Sequence, residues 1–219
     1  GQVQTVLKDI TPDDSVLAIM PIFHGFGLSV SINDVLSFGA KVVLVPTFKA
    51  SEFDKLLTKY KPSVLVGVPT LFEALTTNER MKDVNLSHLK YVVSGGDTLN
   101  KSRIKKVNEF LHEHGANVNV LQGYGMTEAV AAVCLDQKYA SRPGTIGIPF
   151  PGNYIKIVKP GTDEEVGIDE DGELCICGPT VMLGYYNNEK ETNEALHIHK
   201  DGNIWLHSGD IASMDKDGY

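Results

Sequence analysis

At 219 residues the chain can bury one good core, or two smaller units packed together. Its 42% hydrophobic and 22% charged composition is that of an ordinary globular protein, and a net charge of −8 argues against a nucleic-acid surface, which demands clustered Lys and Arg. No apolar run approaches the roughly 20 residues of a membrane helix, nothing at Gly1-Gln-Val-Gln reads as a secretory signal, and three cysteines, an odd number, fit a reducing, cytoplasmic setting.

From about residue 14 to 135, short apolar runs alternate with helical patterns. The runs are Val16 to Met20, Val42 to Val45, Val64 to Val68, Tyr91 to Val93 and Val118 to Leu121. Their β-branched, nearly continuous apolar character predicts strands buried on both faces of a parallel sheet. Between them Phe53, Leu56, Leu57 and Tyr60 form a helix stripe opened by the capping-type Ser51. Ile104, Val107 and Leu111 mark a second helix, closed near Gly115. Repeated strand–helix–strand units imply right-handed crossovers and a doubly wound α/β layer over residues 1–140.

After Arg142-Pro-Gly the rhythm changes. Tyr154 to Val158 and Glu173 to Cys177 alternate with period two, and the Asp-Gly pairs starting at 171, 201 and 217 read as turns. An antiparallel, β-rich subdomain is expected over residues 141–219. The missing initiator Met and the stop at Asp217-Gly218-Tyr219 lead us to expect a piece of a longer protein.

Four segments carry chemistry. Gln122-Gly-Tyr-Gly-Met-Thr-Glu128 follows a buried strand, where ligands of open α/β sheets sit. Gly123 and Gly125 permit close backbone approach, Tyr124 offers a flat face, Thr127 a hydroxyl for a phosphate oxygen, and Glu128 a hard carboxylate for Mg²⁺. The plain alternative is a turn whose Thr and Glu cap the next helix. Ser94-Gly-Gly-Asp-Thr-Leu99 would let the main chain at Gly95 and Gly96 lie against a planar group, or else be a tight turn with Asp97 or Thr98 as N-cap. Asp210, in Trp205-Leu-His-Ser-Gly-Asp210, has two oxygens for ribose hydroxyls, or is a surface turn acid. His24, in Met20-Pro-Ile-Phe-His-Gly-Phe-Gly-Leu28, stands at a strand end, where it orients a carboxylate or serves structure alone. Cys175-x-Cys177 and His197-x-His199 invite a metal reading, but zinc needs four ligands and no clear set appears, so the cysteines read as small core side chains.

Taken in order, these segments resemble the adenylate-forming superfamily of acyl-CoA synthetases, amino-acid adenylation domains and luciferases. Arg142-Pro-Gly-Thr-Ile-Gly-Ile-Pro149 and Gly172-Glu-Leu-Cys-Ile-Cys-Gly-Pro…Leu-Gly-Tyr185 extend the resemblance over essentially the whole chain. It implies an α/β layer followed by a distorted β-barrel, with ATP, CoA and a carboxylic acid as substrates and Mg²⁺ as the ion. It implies that Tyr124 stacks on adenine against the Gly96-Asp97-Thr98 backbone, with Gln122 touching the adenine amino group. Thr127 would bind the α-phosphate, Glu128 would hold Mg²⁺, and Asp210 would take the ribose. Gly95, Gly123, Gly125 and Met126 complete the nucleotide loops, and His24 would stand beside the acyl carboxylate and the pantetheine route.

The family's phosphate loop would lie upstream of residue 1 and its C-terminal lid domain, with a catalytic lysine, beyond Tyr219. The 219 residues alone are therefore expected to be inactive. The CoA-ligase branch acting on fatty or aryl acids is the leading reading, with Phe23, Phe26, Val68, Thr70, Ser94 and Met126 as mostly apolar pocket candidates. The alternatives are an amino-acid adenylation domain loading a carrier protein, for which Asp34 is a poorly placed amine partner, and a non-catalytic nucleotide- or acyl-binding module.

Overall fold

The computed structural model describes residues 2–219. In chain order the first part contains α1 (Gln2–Val6), β1 (Ser15–Ala18), a π-helical stretch (Phe26–Asn33) running into α2 (Asp34–Ser37), β2 (Lys41–Leu44), α3 (Phe53–Tyr60), β3 (Val64–Gly67), α4 (Pro69–Thr77), β4 (Tyr91–Ser94), α5 (Lys101–Glu113) and β5 (Val120–Tyr124). The short strands β6 (Cys134–Leu135) and β7 (Ile148–Pro149) follow. These strands form one sheet in the order β2-β1-β3-β4-β5-β6-β7, parallel from β2 to β5 and antiparallel at β6 and β7.

Successive strand residues face opposite sides of a sheet, and here each side has its own core. Leu17, Leu65, Val92 and Val120 face one side, where Phe53, Leu57, Phe72, Leu75 and Leu111 of α3, α4 and α5 are buried. Val16, Val64, Val66, Tyr91, Val93 and Leu121 face the other, against Val35 of α2 and the partly buried Val30 and Phe38. Each large apolar side chain fully buried in these layers contributes about 2 kcal/mol. A parallel sheet covered on both faces needs such continuous apolar strands, which is why β3 and β4 are buried along their whole length. The edge strand β2 departs from that expectation, with Lys41 and Leu44 exposed.

The second part contains β8 (Tyr154–Val158), β9 (Gly172–Cys177), α6 (Glu189–Ala195), β10 (Leu196–Ile198) and β11 (Ile204–Ala212). Its four strands pair antiparallel in the order β10-β11-β9-β8. Since β7 still belongs to the first sheet, the chain changes sheets between Pro149 and Tyr154. One face of the second sheet, through Ile157, Leu174, Ile176 and Leu206, packs on Ala129, Val133 and Cys134 just beyond β5.

The helix ends and turns follow the local sequence signals only in part. Gly115 closes α5 as expected, with φ 83° and the Ala116 N–H donating to the Leu111 carbonyl at 2.9 Å. The N-cap of that helix is Asn100, whose side chain accepts from the Arg103 N–H at 2.9 Å, and neither Asp97 nor Thr98. Ser51 does not cap α3; it lies within a 3₁₀ turn, Ala50–Glu52, that leads into the helix. The pair Asp171-Gly172 is no tight turn, because Gly172 is already the first residue of β9.

At the entrance to β1 a buried carboxylate ties the sheet together. Asp14 Oδ2 accepts from the Thr11 N–H at 2.8 Å, the Thr11 hydroxyl at 3.0 Å and the Lys90 ammonium at 2.8 Å. Burial raises the Asp14 carboxyl, but Lys90, Ser63 and Thr11 outweigh it and hold the group down at about 2. Such a group contributes stability that is present above its unfolded value near 4 and lost as pH falls toward 2. Asp14→Ala is expected to cost about 2–3 kcal/mol at neutral pH. Urea titrations from pH 6 to pH 2 should show Asp14→Asn falling less with acid than the wild type; an equal acid slope would remove Asp14 from this role.

Candidate active site

The site forms where the C-terminal ends of β4 and β5 meet the second sheet. Beyond β4, the Gly95 N–H donates to the Gly67 carbonyl at 3.0 Å. A Cβ on Gly95 would lie 3.1 Å from the Phe26 ring, so glycine lets that ring pack against the main chain. Gly96 follows with φ 78°, and Asp97 Oδ1 accepts from the Thr98 N–H at 2.6 Å, which holds the turn.

Beyond β5 the chain doubles back tightly. A 3₁₀ turn, Thr127–Ala129, is followed by Val130 at φ 56° and Ala131 at φ 87°. Left-handed backbone at a β-branched residue costs on the order of 1–3 kcal/mol and persists only where its surroundings enforce it. Here the Ala131 N–H donates to the Met126 carbonyl at 3.0 Å and the Val133 N–H to the Tyr124 carbonyl at 2.8 Å. The turn presses so closely on β5 that a Cβ on Gly125 would fall 1.4 Å from the Ala131 carbonyl oxygen.

The second sheet and the loop between β9 and α6 supply two further groups. In β11 the register slips between His207 and Ile211, and Gly209 sits at φ 74°. The slipped segment is fastened by the Ser208 hydroxyl donating to the Leu174 carbonyl at 2.7 Å and the Gly209 N–H donating to Glu173 Oε1 at 3.1 Å. From it Asp210 Oδ2 accepts from the Tyr124 hydroxyl at 2.6 Å. Burial, with the Asp210 carboxylate beside it, pushes the Tyr124 hydroxyl well above its ordinary range and keeps it a donor. The Glu128 carbonyl accepts from the Met182 N–H at 2.7 Å, and its Oε1 accepts from the Tyr185 hydroxyl at 2.7 Å. That carboxylate raises the Tyr185 hydroxyl in turn.

A cavity opens between these segments. His24, Gly95 and Gly96 line it on one side, and Gly123, Tyr124, Gly125, Met126 and Thr127 on another. Its remaining wall is largely apolar, including Val30, Val66, Val93 and Phe150, with Asp34 set among them. Burial raises the Asp34 carboxyl. His24 Nδ1 accepts from the Phe26 N–H at 3.1 Å, which leaves Nε2 to carry the ring proton in the neutral form.

Not every expected residue reaches this cavity. Asp97, Thr98, Gln122, Glu128 and Asp210 are outside its wall, although Glu128 follows Thr127 directly and Asp210 is joined to Tyr124. Gln122 is buried, and its Oε1 has no hydrogen-bond partner among the described residues. Of the pocket candidates, Phe26 and Met126 line the cavity, whereas Val68, Thr70 and Ser94 do not and Phe23 is 92% exposed. Sequence reasoning missed Tyr185 as a partner of Glu128, and it undervalued Asp34. Both depend on contacts across long sequence separations that no local pattern reports; the Gly184-Tyr185 pair was the one available pointer.

The AMP-binding enzyme family matches residues 2–186. Luciferin 4-monooxygenase of Photinus pyralis is 37% identical over 96% of this chain and 36% of its own length. The "Probable 4-coumarate–CoA ligase 1" of Dictyostelium discoideum is 36% identical over 100% of this chain and 38% of its own. ATP-bound MatB from Rhodopseudomonas palustris superposes with a TM-score of 0.86 at 26% identity, covering 100% of this chain and 41% of that one. The chain thus spans well under half the length of the relatives it matches. Among the described residues no helix is long and apolar enough to cross a membrane. With the family matched over most of its residues and the same fold in an ATP-bound relative, this chain belongs to the adenylate-forming AMP-binding enzymes.

Proposed function

We propose that the full-length protein containing these residues is an ATP-dependent acid–thiol ligase acting on an apolar, fatty or aryl carboxylic acid. The observation that carries this reading is the cavity itself: an apolar wall runs directly into the glycine- and hydroxyl-bearing turn Gly123 to Thr127. An acyl group and a nucleotide phosphate would there be neighbours, which is what joining them requires.

The residues suit ATP. The Tyr124 ring offers a stacking face, with the Gly95 to Thr98 main chain supplying the opposite one. The unpartnered Gln122 Oε1 is an acceptor suited to the adenine amino group. Asp210 suits the ribose hydroxyls, and Thr127 the α-phosphate. Glu128 also fits Mg²⁺: it is a hard oxygen donor oriented by Tyr185, and its second oxygen is free of hydrogen bonds and ion pairs among the described residues. The ion, when bound, would neutralise phosphate charge.

Two displacements follow. An acid carboxylate oxygen bonds to the α-phosphorus while the bond to the β-phosphate oxygen breaks and pyrophosphate leaves. A thiol sulfur, that of CoA, then bonds to the acyl carbon as the carbon–oxygen bond breaks and AMP leaves with the electron pair; the thiol proton passes to solvent. His24 stands at the cavity wall where the acid carboxylate would lie, with Nε2–H as its donor. Positioning and charge neutralisation supply most of the rate in such a reaction.

One observation favours a second reading. Asp14 also lines the largely apolar wall, but its Oδ2 is taken up by Lys90 and Thr11, whereas the Asp34 carboxylate would suit the ammonium of an amino acid destined for a carrier protein.

Three measurements test these assignments on the full-length protein. Acid-dependent ATP–pyrophosphate exchange should be driven by fatty or aryl acids and fall at least about a hundredfold in Glu128→Ala; failure of every acid to drive exchange would favour the binding module. Asp34→Leu should keep or improve kcat/KM for apolar acids, whereas on the amino-acid reading it would fall roughly a hundredfold. Tyr124→Phe should raise the KM for ATP by roughly threefold to tenfold, and Tyr124→Ala by clearly more, because only the latter removes the stacking face. Equal effects of the two would argue that the ring does not stack.

A further inference from the structure

The outer face of the second sheet, turned away from the cavity, gathers a set of soft ligands. Register places Cys175 of β9 directly opposite His207 of β11. The turn joining β10 to β11 brings His199 over the same face, with its ring 5.8 Å from that of Trp205. His199 Nε2 and His207 Nε2 lie 2.9 Å apart, and the ligand atoms of Cys175, His199 and His207 all lie within 4.8 Å of one another. Cys175 is fully buried, His199 is 5% exposed, and the His207 side chain is likewise 5% exposed.

We propose that Cys175, His199 and His207 form a binding site for a thiolate- and imidazole-preferring divalent metal ion of the zinc class, which fastens β11 to β9 and to the β10–β11 turn. Small side-chain shifts would bring the sulfur and the two imidazole nitrogens within the short Zn–S and Zn–N bonds of such sites, and three protein ligands leave a fourth position for water. A further feature points the same way. His207 Nδ1 is 2.9 Å from Glu173 Oε2, so a carboxylate stands behind the ring and directs Nε2 toward the cluster. That carboxylate–imidazole relay is how proteins fix the tautomer and orientation of a metal-binding histidine.

Charge supports a cation here. Lys156 shares this face opposite Cys175, but its ammonium lies 4.1 Å over the Trp205 ring and 3.8 Å from Asp201. Glu173 and Asp201 together outweigh that one positive charge. The thiol would give its proton to solvent as the ion binds. Neither Cys-x-Cys nor His-x-His is the ligand set: one member of each combines with a histidine eight residues further along, which the fold alone brings in. The location also has a consequence for the proposed nucleotide site, because Asp210 lies three residues beyond His207 on the same strand, and Glu173 holds both His207 and the Gly209 N–H.

The test is a titration of the metal-stripped full-length protein with Co²⁺, read by the thiolate-to-cobalt charge-transfer absorption, with Zn²⁺ as competitor. Saturation near one equivalent is expected, with displacement by Zn²⁺. The band should vanish in Cys175→Ser and collapse in His199→Gln and His207→Gln, while Cys177→Ser and His197→Ala keep it. Glu173→Gln should weaken binding by roughly 10- to 100-fold without removing the band, as loss of an orienting partner does. Far-UV circular dichroism of each apo variant separates lost ligation from lost folding, and the control variants carry the result if Cys175→Ser does not fold. Absence of the band in the wild type, or a band that follows Cys177 or His197, overturns the proposal.

Discussion

The apolar seal between the second sheet and the segment beyond β5 governs everything at the site. Ile157, Leu174, Ile176 and Leu206 close against Ala129, Val133 and Cys134, and the partly buried Tyr124 and Met126 pack at the edge of the same cluster. This contact is non-directional and strong, so it fixes the distance between the sheets before any polar group is considered. Only because that distance is fixed can the Tyr124 hydroxyl meet Asp210 at 2.6 Å and the Tyr185 hydroxyl meet Glu128 at 2.7 Å. Exposed hydrogen bonds of this kind contribute about 1 kcal/mol each and would not hold two sheets together unaided. They set orientation, and burial supplies the energy.

The turn from Met126 to Ala131 is the counterpart of that seal. Two consecutive non-glycine residues in left-handed backbone are unfavourable by themselves. Three features impose them: the backbone bonds to Met126 and Tyr124, burial of Ala129, and the absence of a Cβ at Gly125. The outcome is a short loop whose Thr127 faces the cavity while Glu128 turns toward the second sheet. A relaxed turn of the same length would not separate adjacent side chains in this way and hold both in place.

Much of the first part was legible in the sequence because its physics is local. Continuous apolar runs such as Val64 to Gly67 are what a strand covered on both faces requires, and the spacing of Phe53, Leu56 and Leu57 is that of a helix with one buried side, although Tyr60 at the end of that stripe is exposed. The glycines at 95, 96, 123 and 125 likewise mark close approach in the sequence alone. Caps were less legible, since Ser51, Asp97, Thr98 and Asn100 are all good capping types and the choice among them depends on where the turn before the helix closes. Partners distant in sequence were not legible at all. Tyr185 with Glu128 and Tyr124 with Asp210 are separated by 57 and 86 residues and are selected by the packing of the two parts, while Cys175 and His207, 32 residues apart, meet only through the pairing of β9 with β11. Asp34 shows the same limit, because its sequence position alone made it a poorly placed amine partner, and only the fold puts it in the cavity wall.

The site also places its charges before a ligand arrives. Glu128 and Asp210 are carboxylates at the edge of an apolar cavity, where free side chains would swing into solvent and would have to be reordered on binding. Each is instead held through one oxygen by a tyrosine hydroxyl, a neutral donor that orients the group without neutralising it. An arginine or lysine in either place would form a tighter pair and would also cancel the charge that, on the proposed function, a cation or a ribose hydroxyl would meet. Tyrosine leaves the charge intact, and the raised Tyr124 and Tyr185 hydroxyls remain protonated donors throughout the neutral range. The arrangement therefore reconciles two demands that usually conflict in a partly buried site: fixed geometry and an unspent charge.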